Sequence, residues 1–174
     1  DGAYGLPFPG MIYTQAAPYW DNNTILCLSL SKLGLPGVRT GIVVAATEVT
    51  ELIRCANAIN GLAPTRVGPE LVLPLLANNR LDALCETVIR PHYLSKQSLA
   101  LNTLLKAAKG LPIRVHRPDG AMFLWVWFEN LPGGTQKLYE LAAAEGVVTV
   151  AGHHFFQGLT RHWQHANECL RVNY

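Results

Sequence analysis

The sequence predicts an α/β fold, with part of a larger sheet in its first half and a smaller α+β piece at its C-terminal end. Three observations carry this reading. The run Gly41-Ile42-Val43-Val44-Ala45-Ala46 is apolar without alternation, which suits a strand covered on both faces in a parallel or mixed sheet. Residues 81–109 read as one long helix. Beyond Gly110 the pattern switches to strands around the turn Arg117-Pro118-Asp119-Gly120, a break in periodicity that marks a different piece of structure. A chain of 174 residues has room for one domain or two small ones. The boundary is expected near residue 90, so that 1–90 belong to the larger piece and 91–174 hold a bridging helix and the smaller piece.

Taken in order, residues 1–10 are short and turn-rich, and 11–15 and 25–29 have strand composition. Asn22-Asn23-Thr24 matches a glycosylation acceptor but reads as a turn. After the apolar run, Thr47 is placed to cap a helix from Glu48 to about Asn60. The Gly-Leu-Ala-Pro break at 61–64 ends it. A second helix is expected over 68–78 despite Pro74. The long helix is expected to be interrupted near Pro91, with Leu84, Val88, Leu101, Leu104 and Leu105 among its apolar positions and Gly110 as its stop. Residues 113–116 and 121–128 read as strands, 135–145 as an amphipathic helix ending at Gly146, and 147–150 and 169–173 as short strands.

Composition narrows the function. The chain is 49% apolar and only 15% charged, against about 25% charged in an average soluble domain, so much of the surface is expected to be covered by a partner subunit or by further chain. A net charge of +2 gives no case for electrostatic nucleic-acid binding. The apolar runs 42–46 and 121–128 are too short to span a bilayer, and no basic-then-apolar leader follows Asp1. Cys27, Cys55, Cys85 and Cys169 form no Cys-x-x-Cys pair and read as buried free thiols of a reducing compartment. His153, His154, His162 and His165 lack clean ligand spacing, so no metal is expected. Trp125, Trp127 and Phe128 read as strand packing, with Phe155 or Phe156 as candidates to line a pocket.

The chemically informative segment is Ser29-Leu30-Ser31-Lys32-Leu33-Gly34-Leu35-Pro36-Gly37-Val38-Arg39-Thr40-Gly41. A strand runs into a lysine, then into glycines and an arginine, then into another strand. A partly desolvated lysine near a cation keeps more of its free amine, as Schiff-base chemistry requires. Gly34 and Gly37 allow close backbone approach to a bound group. Arg39 offers a planar fork suited to phosphate, and Ser29 a hydroxyl. Read alone, such a segment is more often a solvated Gly/Pro loop, and it is not a P-loop.

Ser29-x-Ser31-Lys32 followed by Gly-Leu-Pro-Gly-x-Arg39-x-Gly41 resembles the cofactor-lysine motif of the class I/II pyridoxal-phosphate-dependent aminotransferases. Asp1-Gly2-Ala3-Tyr4 is similar to the Asp-x-Ala-Tyr segment that precedes that motif in the family. The strings 4–10, 86–91, 120–125 and 152–156 resemble its valine–pyruvate branch, so the likeness covers the chain. Two departures stand out. Arg39 follows Lys32 by one residue fewer than in many members, and Ala151 stands where a proline is common.

The resemblance implies a fold-type-I transferase: 1–90 as the C-terminal part of the large cofactor-binding domain, and 91–174 as the bridging helix and an incomplete small domain. It implies pyridoxal 5'-phosphate as cofactor, with Lys32 forming the Schiff base and moving the substrate proton. Asp1 would pair with the pyridine nitrogen, Tyr4 with the 3′-oxygen, and Ser29 and Arg39 with the phosphate. Arg171 would clamp the substrate α-carboxylate. The implied substrates are valine or alanine with pyruvate or 2-oxoisovalerate, in a cytoplasmic homodimer. The family's phosphate-cradling helix, ring-stacking aromatic and an asparagine beside the 3′-oxygen lie upstream of the position matching Asp1, so an inactive portion of a longer enzyme is expected. An aromatic or alanine aminotransferase, a racemase, a β-lyase and a non-catalytic cofactor-binding regulator domain stay open as alternatives, because fold alone does not separate them.

Overall fold

A computed structural model describes residues 2–63, 65–159 and 163–174. The chain divides into two compact units, residues 1–93 and 94–174.

In the first unit, β1 (Leu26–Ser29) and β2 (Gly41–Val44) pair antiparallel, from Leu26 opposite Val44 to Ser29 opposite Gly41. The other edge of β1 carries a parallel bridge, Leu28 to Gly2, where the Gly2 N–H donates to the Cys27 carbonyl at 2.6 Å. Among the described residues β2, the apolar run, pairs only antiparallel with β1, and it is not covered on both faces. Val43 and Val44 are exposed, because a two-stranded ribbon with one added bridge brings too few neighbours to bury a second face. Residues 11–15, expected as a strand, form no strand among the described residues; only Ile12 takes part in a β-bridge. The turns before them end at Gly10, whose φ of 71° and close approach to Cys85 both favour glycine.

α1 spans Thr47–Gly61. Ala46, not Thr47, occupies the capping position, with its carbonyl accepting from the N–H groups of Val49 and Thr50. Thr47 is already helical, so its hydroxyl is not the cap. None of the α1 side chains is buried, and Leu52 and Ile59 stand largely exposed. α2 (Val67–Ala77) follows with Pro74 inside it, and α3 covers Arg80–Leu84. The core of this unit gathers Phe8, Leu28, Leu30, Val72, Leu81 and Cys85.

Between α3 and α4 (Arg90–Ala107) the backbone makes a π-helical turn over Cys85–Ile89. Pro91 has no N–H and its ring clashes with the carbonyl four residues back. The ladder relieves this by widening, so the Arg90 N–H donates to the Cys85 carbonyl five residues back. The interruption thus lies upstream of the proline. Along these helices Val88 and Leu105 are exposed, while Leu81, Cys85 and Gln97 are buried.

The second unit is built on an antiparallel sheet in the order β3-β4-β6-β5: β3 is Ile113–Val115, β4 Phe123–Phe128, β5 Val150–Ala151 and β6 Cys169–Asn173. Leu124 and Val126 of β4 and Leu170 of β6 are buried. α5 (Gly134–Ala144) ends in a Schellman motif, with Val147 N–H donating to Ala142 O and Gly146 N–H to Ala143 O. That closure holds Val147 to the helix end, which is why β5 begins only at Val150 rather than at 147.

Candidate functional site

The connection from β1 to β2 carries three of the expected site residues. Leu30 N–H donates to Thr40 O at 3.2 Å and closes the base of the loop. Within it lie two short 3-10 turns, Ser31–Leu33 and Pro36–Val38. Gly34 separates them at φ 94°, a conformation that favours glycine. Lys32 is half-buried, and its Nζ lies 5.5 Å from the centre of the Tyr4 ring. The Ser29 hydroxyl oxygen accepts from the Ser31 N–H at 3.2 Å, which leaves its own proton to donate elsewhere. Arg39 is exposed and touches only the edge of hydrogen-bonding range, Nη1 to Pro36 O at 3.5 Å. Its backbone sits in the left-handed region at φ 48° and ψ 43°. Behind the loop, α2 packs so closely that a Cβ on Gly68 would collide with the Thr40 side chain.

These residues fit a phosphorylated aldehyde cofactor on the structure's own terms. A Cβ added to Gly34 or Gly37 meets nothing within 4 Å, so the loop has open space on that side. An amine over a phenol ring, a hydroxyl able to donate its proton and a guanidinium that pairs with no carboxylate among the described residues surround one short loop. The first can bond a carbonyl carbon; the other two can bind an anion. Asp1, the expected partner of the ring nitrogen, lies outside the described residues.

Arg171 belongs to the second unit, on β6, opposite Trp125 on β4 and Val150 on β5. Its Nε is buried and has no hydrogen-bond partner among the described residues. The guanidinium carbon lies 5.0 Å from the centre of the Phe123 ring and 5.2 Å from that of Phe155. Trp125 meets Phe155 edge-on at 5.1 Å and 89°. Phe123 and Trp125 also border a cleft of about 270 Å³. An orphaned donor on a cation is the feature a carboxylate would satisfy.

Two features escaped the sequence reading. Phe123 was not singled out, although the alternation Phe123-x-Trp125-x-Trp127 places all three on the face opposite buried Leu124 and Val126. Glu168 was also missed. It is buried and accepts from Trp127 Nε1, Gln164 and the Asn130 N–H. Hydrogen bonding, first from Trp127, holds its carboxyl below the usual carboxylate range, against the effect of burial.

The cysteines divide. Cys85 and Cys169 are buried free thiols, whereas Cys27 and Cys55 are exposed, contrary to the reading that all four are covered. Cys27 points away from buried Leu28 on the period-2 strand β1, and Cys55 sits on α1, which buries nothing. Burial pushes the Cys85 and Cys169 thiols up to about 11. His165 Nε2 lies 3.2 Å from the Cys169 sulfur and packs on Trp127 and Trp163. Among the described residues no cluster of His, Cys, Asp and Glu can hold a metal ion; His162 lies outside them. Among the described residues no helix is long and apolar enough to cross a membrane.

Residues 1–174 match the family "Aminotransferase class I and II". The chain is 43% identical over all its 174 residues to the valine–pyruvate aminotransferase of Escherichia coli K12, of which it covers 42%. The crystal structure of the Salmonella typhimurium LT2 valine–pyruvate aminotransferase superposes with a TM-score of 0.92 at 44% identity, over 99% of this chain and 44% of that one. A crystal structure from Psychrobacter arcticum 273-4 superposes with a TM-score of 0.94 at 48% identity, over 98% of this chain and 39% of that one. The chain thus spans about two fifths of the length of the relatives it matches.

Proposed function

The chain belongs to the class I and II aminotransferase family, and on that premise we propose that it is the lysine-bearing portion of a pyridoxal-phosphate-dependent aminotransferase. The proposed reaction moves an amino group between a small aliphatic amino acid, valine or alanine, and a 2-oxo acid, pyruvate or 2-oxoisovalerate. The observation that carries the reading is the β1–β2 loop, where the Lys32 amine lies over the Tyr4 ring while Ser29 and Arg39 bracket the same turn-rich segment. Identity of 43–44% to valine–pyruvate enzymes supports the choice of substrates.

Each residue has a distinct task. Lys32 Nζ would hold the cofactor aldehyde and, as a free amine, would move the proton at the substrate α-carbon. Tyr4 donates to the cofactor's 3′-oxygen. Ser29 Oγ and the Arg39 guanidinium bind the phosphate. Asp1 is assigned to the pyridine nitrogen from the family motif. When bound, pyridoxal phosphate supplies an electron sink for charge developing at the α-carbon. Arg171 binds the substrate α-carboxylate through its unpartnered Nε edge. A cytoplasmic homodimer completes the proposal, supported by low charge and by the uncovered apolar residues of α1.

The test is a half-reaction screen of the intact protein with valine, alanine and aspartate. Conversion of the yellow cofactor form by valine and alanine, and not by aspartate, is the expected result. Failure of all three amino acids to convert it would overturn the reading.

A further inference from the structure

We infer that Phe123 and Phe155 are positioning residues for Arg171: their rings hold the guanidinium by cation–π attraction and bring no carboxylate that would compete with that of the substrate. This rests on the reading of Arg171 as the carboxylate clamp. Arginine is long and rotamer-rich, so a clamp must be fixed before substrate arrives. A neighbouring Asp or Glu would fix it, but would also compete for the donors that the substrate needs. Among the described residues no carboxylate pairs with Arg171. Instead its guanidinium carbon lies 5.0 Å from the Phe123 ring centre and 5.2 Å from that of Phe155. Aromatic rings attract a cation through their quadrupole without the negative charge that would draw the guanidinium into an ion pair.

The rings reach Arg171 from separate elements of the unit. Phe123 sits on β4, diagonal to Arg171 across the β4–β6 ladder, because Phe123 faces Asn173 and Trp125 faces Arg171. Phe155 ends the 3-10 turn Gly152–Phe155 that follows β5. That turn is pressed onto β6, since a Cβ on Gly152 would collide with the Cys169 carbonyl. Phe155 is 45% exposed and would otherwise be free to swing, but the edge of Trp125 braces it at 5.1 Å. A large apolar ring left half in solvent beside an orphaned buried donor is placed poorly for packing and well for holding that donor.

The experiment compares Phe155→Leu, Phe155→Tyr, Phe123→Leu and Arg171→Ala in the intact holoenzyme. It measures kcat and KM for valine and the inhibition constant of isovalerate, an unreactive carboxylate. Leucine keeps apolar bulk and loses the π face, so Phe155→Leu is expected to raise KM and the isovalerate constant about 2- to 30-fold, with kcat nearly unchanged. Phe155→Tyr keeps the ring and should stay within about twofold of the parent. Phe123→Leu provides an independent arm on another element. If Arg171→Ala leaves isovalerate binding intact, the clamp reading itself fails. If Arg171→Ala weakens isovalerate while both leucine variants bind it normally, or if tyrosine loses as much as leucine, the clamp stands and the aromatic positioning is wrong.

Discussion

The indole N–H of Trp127 donates to Glu168 Oε2 at 2.9 Å and ties β4 to the residue that precedes β6. The other carboxylate oxygen accepts from the Asn130 N–H at 3.0 Å and from Gln164 at 2.6 Å. Three donors converge on one buried side chain that needs two acceptor oxygens. Glu168→Gln replaces one acceptor with a donor and leaves at least one buried N–H facing another. The expected loss is about 1–3 kcal/mol of unfolding free energy, read by denaturant titration of the intact protein. An unchanged midpoint would mean that water satisfies these donors equally well.

The same carboxylate sets a pH dependence. Its native value is held below the usual carboxylate range, chiefly by Trp127. A depressed carboxyl contributes stability that is fully present above its unfolded value and is lost as pH falls through the native one. The stability gap between the parent and Glu168→Gln is therefore expected to shrink below the ordinary carboxylate range. Parallel unfolding curves from neutral to acidic pH check this, and a gap that widens toward acid contradicts the assigned direction.

Lys32→Ala is expected to remove the yellow lysine-bound cofactor form from the intact protein. Turnover should fall by several orders of magnitude, since general acid–base catalysis alone contributes roughly 10²–10⁴-fold. Absorbance after reconstitution and steady-state transamination are the readouts. Normal turnover in the alanine variant would end the lysine assignment.

Cys85 and Cys169 are expected to resist thiol reagents until the protein unfolds. With thiols pushed up to about 11, roughly one in a thousand is thiolate at pH 8 even before access is considered. Labelling with iodoacetamide, followed by peptide mass spectrometry in native and denatured protein, tests this. Rapid native modification of either residue would show that its shell opens.

The lysine loop was legible because its parts are neighbours in the chain: strand, Ser29, Lys32, glycines, Arg39, strand. Arg171 was legible as a position, but its aromatic surroundings depend on the β4–β6 register and on the turn after β5, which local patterning does not specify. The helical break was visible as Pro91, yet the distortion falls on residues 85–89 because the acceptor that the proline disturbs lies upstream. The exposure of β2 was illegible, since an apolar run reports what a strand can bury and not what lies against it. Thr47 is one residue out of place for a cap, within the usual uncertainty of helix ends.

The left-handed backbone of Arg39 sets folding against binding at one position. An arginine held there costs on the order of 1 kcal/mol that a glycine would not incur. Drift toward glycine would therefore be rewarded by the fold and opposed only by whatever the guanidinium holds. In a lineage that lost its anionic ligand, this site should be among the first to change, and its persistence as arginine would act as a record of continued use.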